Sequence, residues 1–284
     1  MIDVKTPEEI KIMREGGRIL SSVLLQLLEN IEPGVTELKI DSLAEKLILK
    51  NGAKPGFKKV KGYKNSICVS TNNVVVHGVP TNYKFKSGDV VGIDCGVFYK
   101  GFNTDMAQTI LIGAKAASKN FRVPNAGNSS SKSNAYGASV HSENFESSPR
   151  YKITKFLETG ERALNEAIKV ARVGNRVGNI SKTIQNIVEA EGYSAVRSLV
   201  GHGVGRNLHE EPEVPGFLEG DIKETPVLKT GVTIAIEVIY NMGKSNVKYL
   251  NGDGWTIATE DESISGLFER TIAITKNGPI ILTA

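Results

Sequence analysis

Two stretches of this chain repeat one arrangement, and that repetition constrains the fold more than any other feature. FKSGDVVGID and LKTGVTIAIE share a lysine, a glycine and an acid in a single register, 143 positions apart. The acids, Asp94 and Glu237, each close an apolar, β-prone run, and each is followed by a second acid, Asp105 in NTDMAQTI and Glu269 in FERTIAIT. Burying even a neutral polar group without a partner costs roughly 2–7 kcal/mol, and a carboxylate costs more. One such acid alone reads best as a strand residue turned to water. Four in a shared register need a common partner, and the natural one is a cation.

Neighbours at period two support this, because side chains two apart share a strand face. Asp94 stands between Gly92 and Gly96, and Asp105, Glu237 and Glu269 are flanked by Ala107, Ala235 and Thr271. Small side chains leave room for an ion. Of the four histidines, His202 in GHGVG has glycine on both sides, which frees its imidazole for a ligand role. One imidazole and four carboxylates make a five-ligand, oxygen-rich set, enough for two divalent ions with shared carboxylates. His77 in VVVHGVP and His209 in NLHEEP are then free to bind substrate or steady an oxyanion. His141 lies in a polar segment.

Other chemistries lack their motifs. No GxSxG is present, no P-loop, and no GxGxxG with a downstream ribose-binding acid; GHGVGRNLH has only a superficial likeness to a phosphate loop. Cys68 and Cys95 form no CxxC pair and read as packed thiols. A net charge of +4 with scattered Lys and Arg and 6% aromatics predicts no specific nucleic-acid binding, and leaves room only for transient attraction to the ribosome. No run of about 18 apolar residues and no signal-peptide pattern at MIDVKTPEEI predict a cytoplasmic protein without a membrane span.

The local signals predict a first helix from Thr6 to about Asn30, opened by a capping box and Pro7, and a second from about Thr36 to Lys50. Residues 175 to 191 match the second, since Gly34 and Gly174, Ile40 and Ile180, and Gly52 and Gly192 are all 140 apart. Strand patterns follow each helix pair. The expectation is an α+β fold in one catalytic domain, 1–284, built from two pseudo-symmetric halves, about 1–113 and 151–284. Helices cover a largely antiparallel sheet and a cleft lies between the halves. Residues 114–150, rich in Ser, Asn, Lys and Gly, are expected to form a flexible insert.

With HGVP at 77–80, Asp94 and Asp105 eleven apart, GHGVGRNLHEEP from 201, IEV at Glu237 and FERT at Glu269, the chain closely resembles the type I methionine aminopeptidases of the pita-bread family. The resemblance covers almost everything outside 114–150. It implies a dinuclear site in which Asp94 holds the first cation, His202 and Glu237 the second, and Asp105 and Glu269 bridge both. It also implies Glu237 as proton shuttle, His209 as oxyanion stabiliser, His77 as a contact to the peptide nitrogen, and a methionine pocket near Tyr63, Cys68 and Trp255. The implied substrates are nascent polypeptide N-termini with a small second residue, and the implied state is a monomer. Co, Mn, Fe and Zn all suit such donors.

Four departures stand out. Leu208 replaces a usual Phe before His209, Val238 a usual Pro after Glu237, and GYKNS lacks the proline common after its tyrosine. Arg270 replaces a usual His after Glu269, and its charge beside that acid is expected to weaken metal binding. The alternatives are an Xaa-Pro aminopeptidase or prolidase of the same fold, or a noncatalytic peptide- or ribosome-binding module. Prolidases usually carry a large additional N-terminal domain, whereas this chain starts about one helix before its repeat. A module would have lost ligands, and none is missing.

Overall fold

The computed structural model describes residues 2–113 and 148–284. Helices α1 (Pro7–Glu29) and α2 (Glu37–Lys50) precede β1 (Lys54–Pro55), β2 (Ile67–Thr71), β3 (Val74–Val76), β4 (Val90–Tyr99) and β5 (Phe102–Leu111). Then come α3 (Pro149–Val170), α4 (Val177–Ala190), β6 (Ser194–Ala195), β7 (Val200–Gly203), β8 (Glu210–Pro215) and β9 (Thr233–Asn241). They are followed by β10 (Val247–Tyr249), β11 (Ile257–Thr259), β12 (Ser265–Thr275) and β13 (Gly278–Ile281). The strand pairings are antiparallel, as the alternating patterns predicted.

The cap of α1 forms as its sequence requires: Glu9 N–H donates to Thr6 Oγ1, and Thr6 N–H donates to Glu9 Oε2. One helix face then buries Met13, Leu20, Leu24 and Leu27. These leucines pack with Ile40, Ile48, Val91 and Ile93 into a core beneath α1 and α2. A second core lies beneath α3 and α4, where Leu164, Ile168, Ile180 and Ile184 meet Ile234, Ile236, Phe268 and Ile272. Gly34 and Gly174 both take left-handed backbone, at φ 92° and 90°, after α1 and α3 respectively. No helix of the described residues is long and apolar enough to cross a membrane.

Helix α3 is the element that local patterns left unplaced. Its buried face sets the small residues Thr159, Gly160, Ala163 and Ala167 among Phe156, Leu164 and Ile168. The small size is needed: a Cβ on Gly160 would stand 2.4 Å from the Phe268 ring. Ser148 caps this helix and Pro149 opens it, so the last residues of the expected insert belong to regular structure. Residues 114–147, the rest of that insert, lie outside the described residues.

Candidate metal centre

The four acids come from two hairpin-like strand pairs. In β4 and β5, Asp94 pairs with Ala107 and Asp105 with Gly96, an offset of two that keeps both carboxylates on one face. In β9 and β12, Glu237 and Glu269 are directly opposite. The two pairs therefore do not occupy equivalent ladder positions, although Asp94 and Glu237 share one register in the sequence. Close packing at the first pair explains the neighbouring glycine, since a Cβ on Gly96 would lie 2.7 Å from Phe57.

His202 arrives on β7, which runs between β8 and β9 with a register shift between Gly201 and Gly203. Both glycines are required: added Cβ atoms would come within 2.5 Å of the Ala235 carbonyl oxygen and 2.2 Å of that of Glu211. His202 Nδ1 lies 2.8 Å from the Gly203 carbonyl oxygen, which can only accept, so Nδ1 carries the proton. Nε2 is left with its lone pair, 3.5 Å from Glu237 Oε1. Burial, reinforced by His209, lowers the His202 pKa to about 4, so the ring is neutral at physiological pH.

These groups converge on a cavity of about 100 Å³ lined by Asp94, Asp105, His202, Glu237 and Glu269 together with His77 and His209. Donor atoms of Asp105, His202 and Glu269 lie within 4.8 Å of one another. Asp94 and Glu237 keep some exposure, but toward this cavity rather than bulk water. Burial pushes Asp94 up to about 7. Asp105, Glu237 and Glu269 are raised well above the usual carboxylate range, first by burial and then by the other acids. Asp94 Oδ1 and Glu269 Oε1 are buried without a hydrogen-bond partner. Crowded acids with orphaned oxygens beside an unprotonated imidazole nitrogen are a donor set that fits divalent cations.

The other side of the cavity is apolar. Tyr63, Cys68 and Trp255 line it with Leu208 and with Phe57, Val60 and Val76, three residues the sequence reading did not name. Their spacing in GFKKVKGY, three apart for Phe57, Val60 and Tyr63, was the available signal. Tyr63 meets Trp255 edge to face at 5.2 Å and donates its hydroxyl to the Ile67 carbonyl at 2.8 Å. Cys68 pairs across the ladder with Asp94, which joins the apolar wall to the acids. The His209 ring stands 4.4 Å from that of His202, and His77 is held in left-handed backbone at φ 55°. Burial lowers the pKa of both His77 and His209, so they too are neutral.

Arg270 does not face the acids. Strand alternation turns it away from Glu269, and its guanidinium donates to the carbonyls of Ala107 at 3.0 Å and Glu269 at 2.6 Å, and to Gln108 Oε1 at 2.9 Å. Its field lowers the Glu269 carboxyl, less strongly than burial and the other acids raise it. The expected weakening of metal binding rests on that field.

A model of metallopeptidase family M24 matches residues 11–129 and 139–276. The methionine aminopeptidase of Clostridium perfringens is 41% identical over 283 residues, spanning 100% of this chain and 99% of the relative. Methionine aminopeptidase 1 of Bacillus subtilis is 38% identical over the same shares of both chains. The crystal structure of methionine aminopeptidase from Thermotoga maritima superposes with a TM-score of 0.83 at 36% identity, covering 100% of this chain and 99% of that one. A prolidase from Pyrococcus furiosus shares the fold with a TM-score of 0.71 at 24% identity, and this chain covers 65% of its length.

Proposed function

This chain belongs to metallopeptidase family M24 and acts as a metal-dependent aminopeptidase on N-terminal methionine, and we propose that Asp94, Asp105, His202, Glu237 and Glu269 hold its divalent cations. The observation that carries the assignment is the pair of buried, unpartnered oxygens, Asp94 Oδ1 and Glu269 Oε1, beside three donors that already converge within 4.8 Å. Divalent cations held there would supply Lewis acidity for the scissile carbonyl and lower the pKa of a water toward neutrality. Asp105 and Glu269 would serve as shared ligands, Asp94 would hold one cation, and His202 with Glu237 would hold another.

The remaining steps belong to side chains. Glu237, a carboxylate lining the cavity, would take a proton from the attacking water and return it to the departing amine. His209, neutral and therefore carrying one N–H, donates to the carbonyl oxygen as it gains charge, and His77 hydrogen-bonds the peptide nitrogen. The methionine thioether rests against Tyr63, Cys68 and Trp255, whose apolar and soft surfaces suit it. A small second residue on the nascent polypeptide is part of the same reading. Exposed Lys54, Lys58, Lys59, Lys61 and Lys64 beside that wall support transient association with the ribosome.

Peptides beginning Met-Ala, Met-Leu and Ala-Pro, assayed with Co, Mn, Fe and Zn in turn, test the whole reading. Met-Ala is expected to be cleaved, Met-Leu poorly and Ala-Pro not at all; cleavage of Ala-Pro alone would make this an Xaa-Pro aminopeptidase. For His209→Ala the expected result is a fall in kcat of about 10²–10³-fold with little change in KM and both cations retained. A change confined to KM would remove His209 from the oxyanion role.

A further inference from the structure

β5 and β12, the strands that carry Asp105 and Glu269, run side by side but belong to different sheets. Two threonine hydroxyls join them. Thr271 Oγ1, on β12, accepts the Asp105 N–H at 2.8 Å and donates to the Asp105 carbonyl at 2.8 Å. Thr109 Oγ1, on β5, treats Leu267 in the same way, accepting its N–H at 3.0 Å and donating to its carbonyl at 2.7 Å. Both side chains are buried, at 0% and 3% exposure.

The arrangement is reciprocal and antiparallel. Asp105 faces Thr271 and Thr109 faces Leu267, so Ala107 faces Glu269 midway, where Arg270 donates to the carbonyls of both. A direct ladder would draw the two main chains to about 4.8 Å. Interposed hydroxyls satisfy the same N–H and C=O groups while holding the chains further apart in a defined register. Too narrow a gap presses two carboxylates together, and too wide a gap prevents them from sharing an ion. Packing alone does not ask for hydroxyls, since valine has the same branched shape.

We infer that Thr271 and Thr109 are positioning residues, whose hydroxyls set the separation and register of Asp105 and Glu269 for shared cation binding. The inference rests on the reading that these two acids hold the divalent cations.

The test is titration with Co²⁺, followed by calorimetry and by the visible spectrum, at a temperature well below unfolding of each metal-free variant. Thr271→Val is expected to weaken Co²⁺ binding ~10–100-fold and alter the visible band, the scale of lost support behind a ligand. Thr271→Ser, which keeps the hydroxyl, should stay within ~3-fold of wild type, and Thr109→Val should show a smaller loss of the same kind. A folded Thr271→Val with wild-type affinity and spectrum overturns the inference. If Thr271→Val does not fold, wild-type binding by Thr109→Val, or a loss beyond ~10-fold in Thr271→Ser, overturns it. Failure of the site reading looks different: Asp105→Asn would then bind Co²⁺ like wild type, whereas failure of the seam alone leaves Asp105→Asn impaired.

Discussion

Asp105→Ala is expected to abolish turnover, with a loss on the order of 10⁴-fold or more in kcat/KM, and to strip the divalent cations from the protein. Asp105 is 4% exposed and is the acid most closely tied to the others: its donor atom lies within 4.8 Å of those of His202 and Glu269. Its carboxyl also lies close enough to that of Asp94 for each to shift the protonation of the other. Its Oδ1 accepts the Met106 N–H at 3.0 Å, which aims the carboxylate before any ion arrives. On the proposed assignment Asp105 is a shared donor, so removing it would leave no cation position complete. Asp105→Asn separates charge from shape, because it keeps the volume and loses only the anionic oxygen. Metal content by equilibrium dialysis and turnover of a Met-Ala peptide decide the matter. A variant that retained both cations and more than about a tenth of wild-type activity would remove Asp105 from the bridging role.

Metal removal should turn stability against rising pH. Without cations, Asp94 has its carboxyl at about 7, and Asp105, Glu237 and Glu269 are held well above the ordinary range by burial and by one another. The folded state therefore retains protons that the unfolded chain has already lost, and folding stability falls as pH rises toward and through the folded pKa values. The histidines act in the opposite sense. Burial lowers His77, His202 and His209, so below the unfolded pKa of about 6.5 they destabilise the fold as pH falls. Above that value they are neutral in both states and the acids alone remain. Between pH 6.5 and 8.5 each proton retained by the folded state contributes a decline of about 1.4 kcal/mol per pH unit, or roughly 2–4 °C in Tm. Divalent cation added at about 100 times its Kd should restore about 2.7 kcal/mol and reverse the slope, because cations compete with protons for these ligands. Thermal scans of chelator-treated and reloaded protein provide the check. A metal-free Tm that stays constant across this window would mean that the four acids are not desolvated together.

The parts of this fold that were readable in advance share one property, that their signals are local. The α1 cap needs only Thr6, Pro7 and Glu9, and β4 and β9 announce themselves by apolar runs around a single acid. Helix α3 was expected only through the repeat and without bounds, and the need for Gly160 in it comes from the Phe268 ring, 2.4 Å from an added Cβ. Phe57 and Val60 escaped because they stand among lysines, and only the folded loop turns them to the cavity beside Tyr63. The placement of Arg270 could not be read from adjacency. One step along a strand reverses the side chain, and its guanidinium donates to the carbonyls of Ala107 and Glu269 and to Gln108, with Glu161 and Glu269 both within its field.

The types of donor, their order along the chain and their membership of an M24 metallopeptidase were determined by the amino-acid sequence alone, since motif spacing and apolar context survive without coordinates. Their mutual geometry was decided only in the tertiary structure. The two-residue offset of Asp94 and Asp105, the tautomer that the Gly203 carbonyl imposes on His202, and the threonine bridge between β5 and β12 all involve groups brought together from distant parts of the chain or by a strand register. Hydrogen bonds and desolvation depend on distances of a few ångströms in space, and those distances do not exist until the sheets have closed around the acids.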